Sequence, residues 1–379
     1  MKDFSIYIHI PFCISKCKYC DFNSYSNIDE YIDKYIECLK KEIEIVNINK
    51  DEYICRSIYI GGGTPSYIDS KYIVEILKIV YEKYNIDKNA EITIEVNPCS
   101  VTKEKLLDYY NAGINRISMG LQTCNDELLK IIGRKHTYKE FLDKYTLIKK
   151  VGFNNINIDL MLGLPNQSLE DLIESVNNVI KLNPNHISCY SLILYENTKL
   201  YKDIIENKYI LPDDKLERDM YYKMVEILKQ NGYIQYEISN FCKDNQYSRH
   251  NMMCWKQNEY IGFGAGAHSF IDSSRFSNID SVKKYIDNIE NDNLKDNIVI
   301  QEIMNKNDLM KEYMLLGFRL INGINIEEFK NKFDEEVKDI FRDELNKLIN
   351  QEYIKLEGKN YVLTNKGIDF NNIICEEFI

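Results

Sequence analysis

The chain has 379 residues, with 48 Lys and Arg against 59 Asp and Glu and a formal net charge of -11, which speaks against a broad phosphate-neutralising surface and so against non-specific nucleic-acid binding. At 44% hydrophobic and 28% charged, with only 6 Pro and 16 Gly, the composition is that of a globular protein with little room for flexible linkers, and the length suits two or three domains or one large α/β domain with an appendage. No run of 18 uncharged apolar residues occurs and the first residues lack a secretory pattern, so a cytoplasmic protein without a membrane span is expected, its 11 Cys mostly reduced thiols.

Apolar alternation predicts a strand over 5–10, and Tyr31, Ile32, Tyr35, Ile36, Leu39, Ile43 and Val46 recur at helical spacing over 29–46. The same order returns at 57–60 and 70–84, at 91–96 and 102–111, and at 116–121 with helices to about 150. It continues at 155–161 and 169–181 and ends on a strand over 186–194. Ser168 and Asp171 give the last of these helices a capping-box start.

Six β-first units with short connections imply parallel strands with right-handed crossovers, either a doubly wound sheet or a barrel. Strand parity decides between them. Ile6, Ile8 and Ile10, Ile92, Ile94 and Val96, and Ile156 and Ile158 form an apolar parity. Tyr7 and His9, Thr93 and Glu95, Ser118, Gly120 and Gln122, Asn155, Asn157 and Asp159, and Ser188 and Tyr190 form a polar or small one. Helices on both faces would make both parities apolar, and a closed barrel fills its centre with branched apolar side chains. The expectation is an α/β fold, an open, partial (β/α)6 barrel whose inner face meets a ligand.

Beyond 194 the repeat stops. A helix is predicted over 213–231, mixed strands near 233–239 and a Gly-rich turn at 262–266. Helices at 308–320, 326–332 and 335–349 then precede a hairpin over 354–363 that turns near Gly358, a smaller helical, winged-helix-like unit. The expected division is 1–200 for the barrel, 201–306 for its extension and connecting region, and 307–379 for the C-terminal domain.

The strongest chemical signal is Cys13, Cys17 and Cys20 in the loop after the first strand. This spacing lets a short loop bring three thiolates to one soft metal centre, as an iron-sulfur cluster requires. Zinc would call for a fourth close Cys or His, and none follows nearby. Three thiolates on a four-iron cluster leave one iron open to a substrate or cofactor.

The triplet resembles the CxxxCxxC mark of the radical S-adenosylmethionine (SAM) superfamily. More narrowly, Tyr7-Ile-His-Ile-Pro-Phe-Cys13 through Phe22, Gly61-Gly-Gly-Thr-Pro65, Glu95-Val-Asn-Pro98 and Asp159-Leu-Met-Leu-Gly-Leu-Pro165 resemble the coproporphyrinogen dehydrogenase (HemN) and HemW family. That likeness runs from about residue 5 to 270. It implies a [4Fe-4S] cluster on Cys13, Cys17 and Cys20 with SAM on the open iron. It also implies that Gly62, Gly63 and Thr64 meet the amino-acid end of SAM, where glycine permits close backbone approach. Glu95, Gln122, Arg134 and Asp159 are the implied polar complement of SAM's charged groups, with Tyr7 and Phe22 beside the cluster loop.

Two readings follow from the resemblance: a haem chaperone of the HemW type, and a dehydrogenase that oxidatively decarboxylates coproporphyrinogen III. Phe22 stands where the dehydrogenases usually carry a further Cys, and only 12 residues precede Cys13, without their N-terminal extension. His250-Asn251-Met-Met-Cys254-Trp255 resembles the HNxxYW of HemW proteins, with Cys254 in the place of Tyr. These features favour the chaperone. His250 is then the candidate axial haem ligand, with Cys254 and His268 behind it, Trp255 for the porphyrin face and Arg249 for a propionate. The implied partners are haem and a haem-accepting protein, the chain being a monomer or a cluster-linked dimer. A third reading, a radical-SAM enzyme that modifies RNA, is opposed by the net charge and by Glu327, Glu328, Asp334, Glu335 and Glu336 in the C-terminal unit.

Overall fold

In the computed structural model, which describes residues 1–378, the repeat becomes β1 (Lys2–Ile10), α1 (Ile32–Ile45), β2 (Tyr53–Gly62), α2 (Ser70–Lys83), β3 (Ile86–Val96) and α3 (Lys103–Asn111). It continues as β4 (Arg116–Gln122), α4 (Asp126–Ile131), α5 (Tyr138–Val151), β5 (Asn155–Leu162), α6 (Leu169–Leu182) and β6 (His186–Ser191). The six strands pair in parallel in chain order. Helices begin where the sequence offers a side-chain acceptor: Asp69, Thr102, Asn125, and the full capping boxes Thr137/Glu140 and Ser168/Asp171.

The apolar parity packs outward. Ile6, Ile8, Ile10, Ile58, Ile94, Ile117 and Ile156 are fully buried in one core with Leu39, Leu77, Leu106, Ile148 and Val176 of the helices. The polar parity faces inward in rows. Tyr7 lies opposite Tyr59, Tyr59 opposite Thr93, Thr93 opposite Arg116 and Arg116 opposite Asn155. A second row joins Glu95, Ser118, Asn157 and His186, and a third joins Gly120, Asp159 and Ser188.

Several boundaries differ from expectation. β2 and β3 start four and five residues earlier than predicted, because polar residues such as Arg56, Asp87, Lys88 and Asn89 mask the alternation there. β6 stops at Ser191, and Leu192 and Ile193 turn to line a cavity mouth.

The larger departure comes after α7 (Lys199–Ile205) and α8 (Asp214–Gln230), where the short strands β7 (Ile234–Gln235) and β8 (Asn240–Cys242) extend the sheet antiparallel beyond β6. Helix α9 (Arg249–Trp255) then leads into β9 (Glu259–Phe263), which returns to the far side of β1 as a seventh parallel strand. β10 (His268–Ile271), β11 (Ser274–Asn278) and, after α10 (Val282–Glu290), β12 (Ile298–Ile303) continue antiparallel. The sheet has twelve strands, with β12 and β7 at its ends, so the barrel stays open. The Gly-rich turn after β9 is anchored from α1: Gly264 donates its N–H to buried Glu42 (2.8 Å) and Ala265 to the Tyr35 hydroxyl (3.0 Å).

The C-terminal part has its own core around Met314, Phe318, Phe329, Val337, Leu348 and Phe378. It comprises α11 (Lys306–Gly317), β13 (Ile324–Asn325), α12 (Ile326–Phe333), α13 (Val337–Ile340), α14 (Arg342–Asn350), β14 (Ile354–Glu357), β15 (Asn360–Leu363), α15 (Asn365–Asp369) and α16 (Asn371–Glu376). The helix expected over 335–349 is two helices, broken at Phe341 (φ -114°, ψ 37°). The hairpin is β14 and β15, joined by β13 into a three-stranded antiparallel sheet. Among the described residues no helix is long and apolar enough to cross a membrane.

Candidate functional site

The cysteine loop is held at both ends. Cys13 donates its N–H to the Tyr25 carbonyl (2.8 Å) and Tyr25 donates to that of Pro11 (2.7 Å), while the Lys16 ammonium donates across the loop to the carbonyls of Phe22 and Ser24. The three thiols are unbridged and border one cavity of about 150 Å³. Thr64 Oγ1 donates to Cys13 Sγ (3.5 Å), and Arg134 Nη1 lies 3.7 Å from Cys17 Sγ. Burial pushes the Cys13 and Cys20 thiols above their usual range. No other Cys and no His borders this cavity, and among the described residues no three His, Cys, Asp or Glu gather as on a single metal ion. A four-iron cluster asks for a different arrangement, each thiolate holding its own iron around a shared space. The donor set fits that group and does not fit zinc.

The end of β2 closes the other side. Gly62 has φ +113°, and a Cβ there would stand 2.5 Å from the His9 ring; a Cβ on Gly63 would stand 2.9 Å from Cys13 Sγ. Glycine alone lets this turn lie against β1 and the thiol at once.

Glu95 accepts from the Tyr59 hydroxyl (2.8 Å) and the Gly62 N–H (3.3 Å). Burial, reinforced by the charge of Asp159, raises its pKa to about 7. Asp159 is likewise raised by burial and accepts from Asn157 Nδ2 (2.7 Å). Gln122 arrives by an unforeseen route: β4 bulges between Gly120 and Gln122, and Gln122 adopts φ 76°. Arg134, beyond α4, donates from Nη2 to the Gly120 carbonyl (2.6 Å), while its buried Nε has no partner in the described chain. A buried, unpaired guanidinium donor beside two carboxylates and an open thiol cradle suits a ligand that carries both an ammonium and a carboxylate. The Tyr7 hydroxyl donates to His9 Nδ1 (2.9 Å), and His9 Nε2 donates to the Asn23 carbonyl (2.8 Å). The three cysteines, Tyr7, Phe22, Gly62, Gly63, Thr64, Glu95, Gln122, Arg134, Asp159 and His250 all border the cavities around this centre.

Two larger cavities flank the thiol cradle, and Phe22, 69% exposed, and Glu95 border all three. The inner cavity, about 350 Å³, runs along the barrel rows past Arg116, Ser118, Asn157 and Ser188. The outer cavity, about 690 Å³, lies toward β9 and includes Tyr7, His250, Cys254, Tyr260 and His268. His250 sits in the first turn of α9, where Glu91 Oε1 accepts the N–H of Arg249 (3.0 Å) and of His250 (3.3 Å). Its Nδ1 meets Ser57 Oγ at 3.1 Å, and its ring lies 5.0 Å from that of Tyr59. Burial, then the charge of Arg116, lowers its pKa to about 3, so the imidazole is neutral. Cys254, one turn further, has its thiol pushed up to about 11 by burial.

Two expectations are corrected. Trp255 does not border these cavities; its ring packs 4.8 Å from the Arg319 guanidinium of the C-terminal part. Arg249 donates to the Asn89 carbonyl (2.6 Å) away from both cavities. Sequence reasoning passed over Tyr59 and Arg116, although both carry the inward parity that picked out Glu95 and Asp159.

The radical SAM superfamily model matches residues 7–179 and the HemN C-terminal domain model residues 304–370. The heme chaperone HemW of Lactococcus lactis subsp. lactis is 35% identical over 378 residues, covering 100% of this chain and 98% of that one. The chain belongs to the HemW family. Family membership within the radical SAM superfamily implies a [4Fe-4S] cluster and SAM. The HemW of Bacillus subtilis is 35% identical over 87% of this chain and 86% of its own length, and that of Escherichia coli 38% identical over 70% and 69%. The solved coproporphyrinogen III oxidase (HemN) of Escherichia coli superposes with a TM-score of 0.85, covering 100% of this chain and 90% of that one; at 22% identity this shows a shared fold.

Proposed function

We propose that this HemW-family chain is a cytoplasmic haem chaperone that binds haem beside a [4Fe-4S] and SAM centre and passes it to an acceptor protein. The division at about 200 and 306, with the barrel, its extension and the C-terminal domain as successive units, belongs to the same reading. Cys13, Cys17 and Cys20 would hold the cluster; Gly62, Gly63, Thr64, Glu95, Gln122, Arg134 and Asp159 would hold SAM, with Tyr7 and Phe22 at the cluster's edge. The cluster, bound and reduced, would supply the electron for any cleavage of SAM.

The observation that carries the haem assignment is His250. It is neutral, and a wide cavity lies against it. With Ser57 Oγ accepting from Nδ1–H and donating toward Met253 Sδ (3.8 Å), the Nε2 lone pair is left for a metal. The flanking rings of Tyr7 and Tyr260 and the exposed Phe22 give a planar apolar ligand surfaces to rest on. The full-length match to proteins named heme chaperone supports the same conclusion. The shared fold and cysteine loop also suit a coproporphyrinogen III dehydrogenase, which Phe22 speaks against.

The test is transfer: haem-loaded protein, freed of excess haem, is mixed with an apo-haemoprotein and the acceptor's haem absorbance is followed. Faster loading than from free haem, with His250→Ala altering the donor's haem spectrum or affinity, is the expected result. Failure to bind haem at near-stoichiometric ratio overturns the reading.

A further inference from the structure

Arg116 is 2% exposed at the start of β4 and borders the inner cavity. Its Nε has no hydrogen-bond partner in the described chain, and the nearest carboxylate oxygen, Glu91 Oε2, lies 3.9 Å away. Glu91 turns its other oxygen to the first N–H groups of α9. The carboxylates that line the inner cavity are engaged elsewhere, Asp159 by Asn157, Glu95 by Tyr59 and Gly62, and Asp21 by Asn197. A guanidinium this buried ordinarily has its donors met by carboxylate or carbonyl oxygens. Above it, small polar side chains, Ser118, Asn157 and Ser188, lead up to a rim of exposed apolar ones: Phe22 (69%), Tyr190 (41%), Ile193 (62%) and Tyr195 (42%). The cavity is thus apolar at its mouth, and in its depth the Arg116 guanidinium stands with the carboxyls of Glu95 and Asp159, both of which burial pushes toward the neutral form.

We propose that Arg116 is the anchor of a carboxylate-binding site inside the barrel, taking the acid group of a ligand whose body rests on the apolar rim. A propionate of a tetrapyrrole carries this chemistry; that assignment rests on the haem reading above, the inner and outer cavities sharing Phe22 and Glu95 on their borders, and the amino-acid carboxylate of SAM, placed above at Gly62–Thr64 and Arg134, is the competing source that the test separates. Bidentate N–H to carboxylate pairing is what a guanidinium offers and an ammonium does not. Arg116 is a binding residue, distinct from Arg134, which faces the thiol cradle.

The test pairs each ligand with its neutral counterpart. Cluster-loaded wild type and Arg116→Gln are titrated with haem and haem dimethyl ester, and with SAM and decarboxylated SAM. The doubly neutral Arg116→Gln/Glu91→Gln removes the ion pair as a unit, in case the single variant folds poorly, and Arg116→Lys keeps charge without the fork. The wild type is expected to prefer the acid at least ten-fold in one pair. Both Gln variants should erase that preference while binding the neutral counterpart as before, with Arg116→Lys between. If only the SAM pair responds and haem does not bind, the anchor stands and the haem reading falls. If haem binds but the acid preference is absent, or survives in both Gln variants, the anchor is overturned and the haem reading stands.

Discussion

At the scale of single residues, the site is governed by where polar groups are buried and what they lack. Glu95 has a pKa of about 7 because burial and Asp159 oppose its charge. A cationic ligand prefers the ionised form, so below about pH 7 binding must displace a proton. SAM affinity is therefore predicted to fall by up to about ten-fold per pH unit as pH drops below 7 and to level off above it. Glu95→Gln should weaken binding more than ten-fold at pH 8 and flatten the profile, as equilibrium titration from pH 5.5 to 8.5 would show; a wild-type profile that stays flat contradicts the assignment. Cys17→Ala should abolish the iron-sulfur absorbance of reconstituted protein, and a full [4Fe-4S] spectrum in that variant counts against the cradle. The cysteines, the glycines and the four polar positions were legible because residue type and strand parity point the same way. Arg116 and Tyr59 share that parity yet were passed over, since no motif surrounds them. Arg249 and Trp255 were misplaced because residues one and five positions from His250 on a short helix face other directions.

At the scale of elements, the turns do the positioning. Gly62 joins β2 to the thiol cradle with φ +113° and a Cβ position occupied by the His9 ring. Gly62→Ala should cost about 1–3 kcal/mol and lower cluster occupancy, read by urea unfolding and iron content of the reconstituted protein. A variant with wild-type stability and full iron would show the turn to be less constrained. The bulge in β4 explains why strict alternation describes this strand only as far as Gly120: Leu121 is an extra residue, and Gln122 reaches the site through a left-handed backbone. Alternation carries no signal for such an insertion. The capping residues, by contrast, could be read directly, and Ser168 with Asp171 forms the box the sequence suggests.

At the scale of the molecule, the open barrel with a smaller C-terminal domain follows from six β-first units and their inward polar parity. The return of β9 to the far side of β1 was hidden, since five residues with no crossover helix after them carry no repeat signal. The two parts meet at Arg319, which stacks on Trp255 and lies 3.6 Å from the fully buried carboxylate of Glu237. Arg319→Ala is predicted to destabilise the chain by roughly 2 kcal/mol and to shift the emission of Trp255, the one Trp in the sequence, with SAM affinity unchanged. Denaturation followed by that fluorescence checks both, and an unchanged midpoint would show the junction to be held by other contacts.

On this reading the cofactor centre serves haem transport and not porphyrinogen oxidation. The most direct measurement is anaerobic incubation of cluster-verified protein with coproporphyrinogen III, SAM and a reductant, followed chromatographically. No protoporphyrinogen or protoporphyrin beyond background is the expected result. Product formed over multiple turnovers would contradict it and make the chain a dehydrogenase despite Phe22.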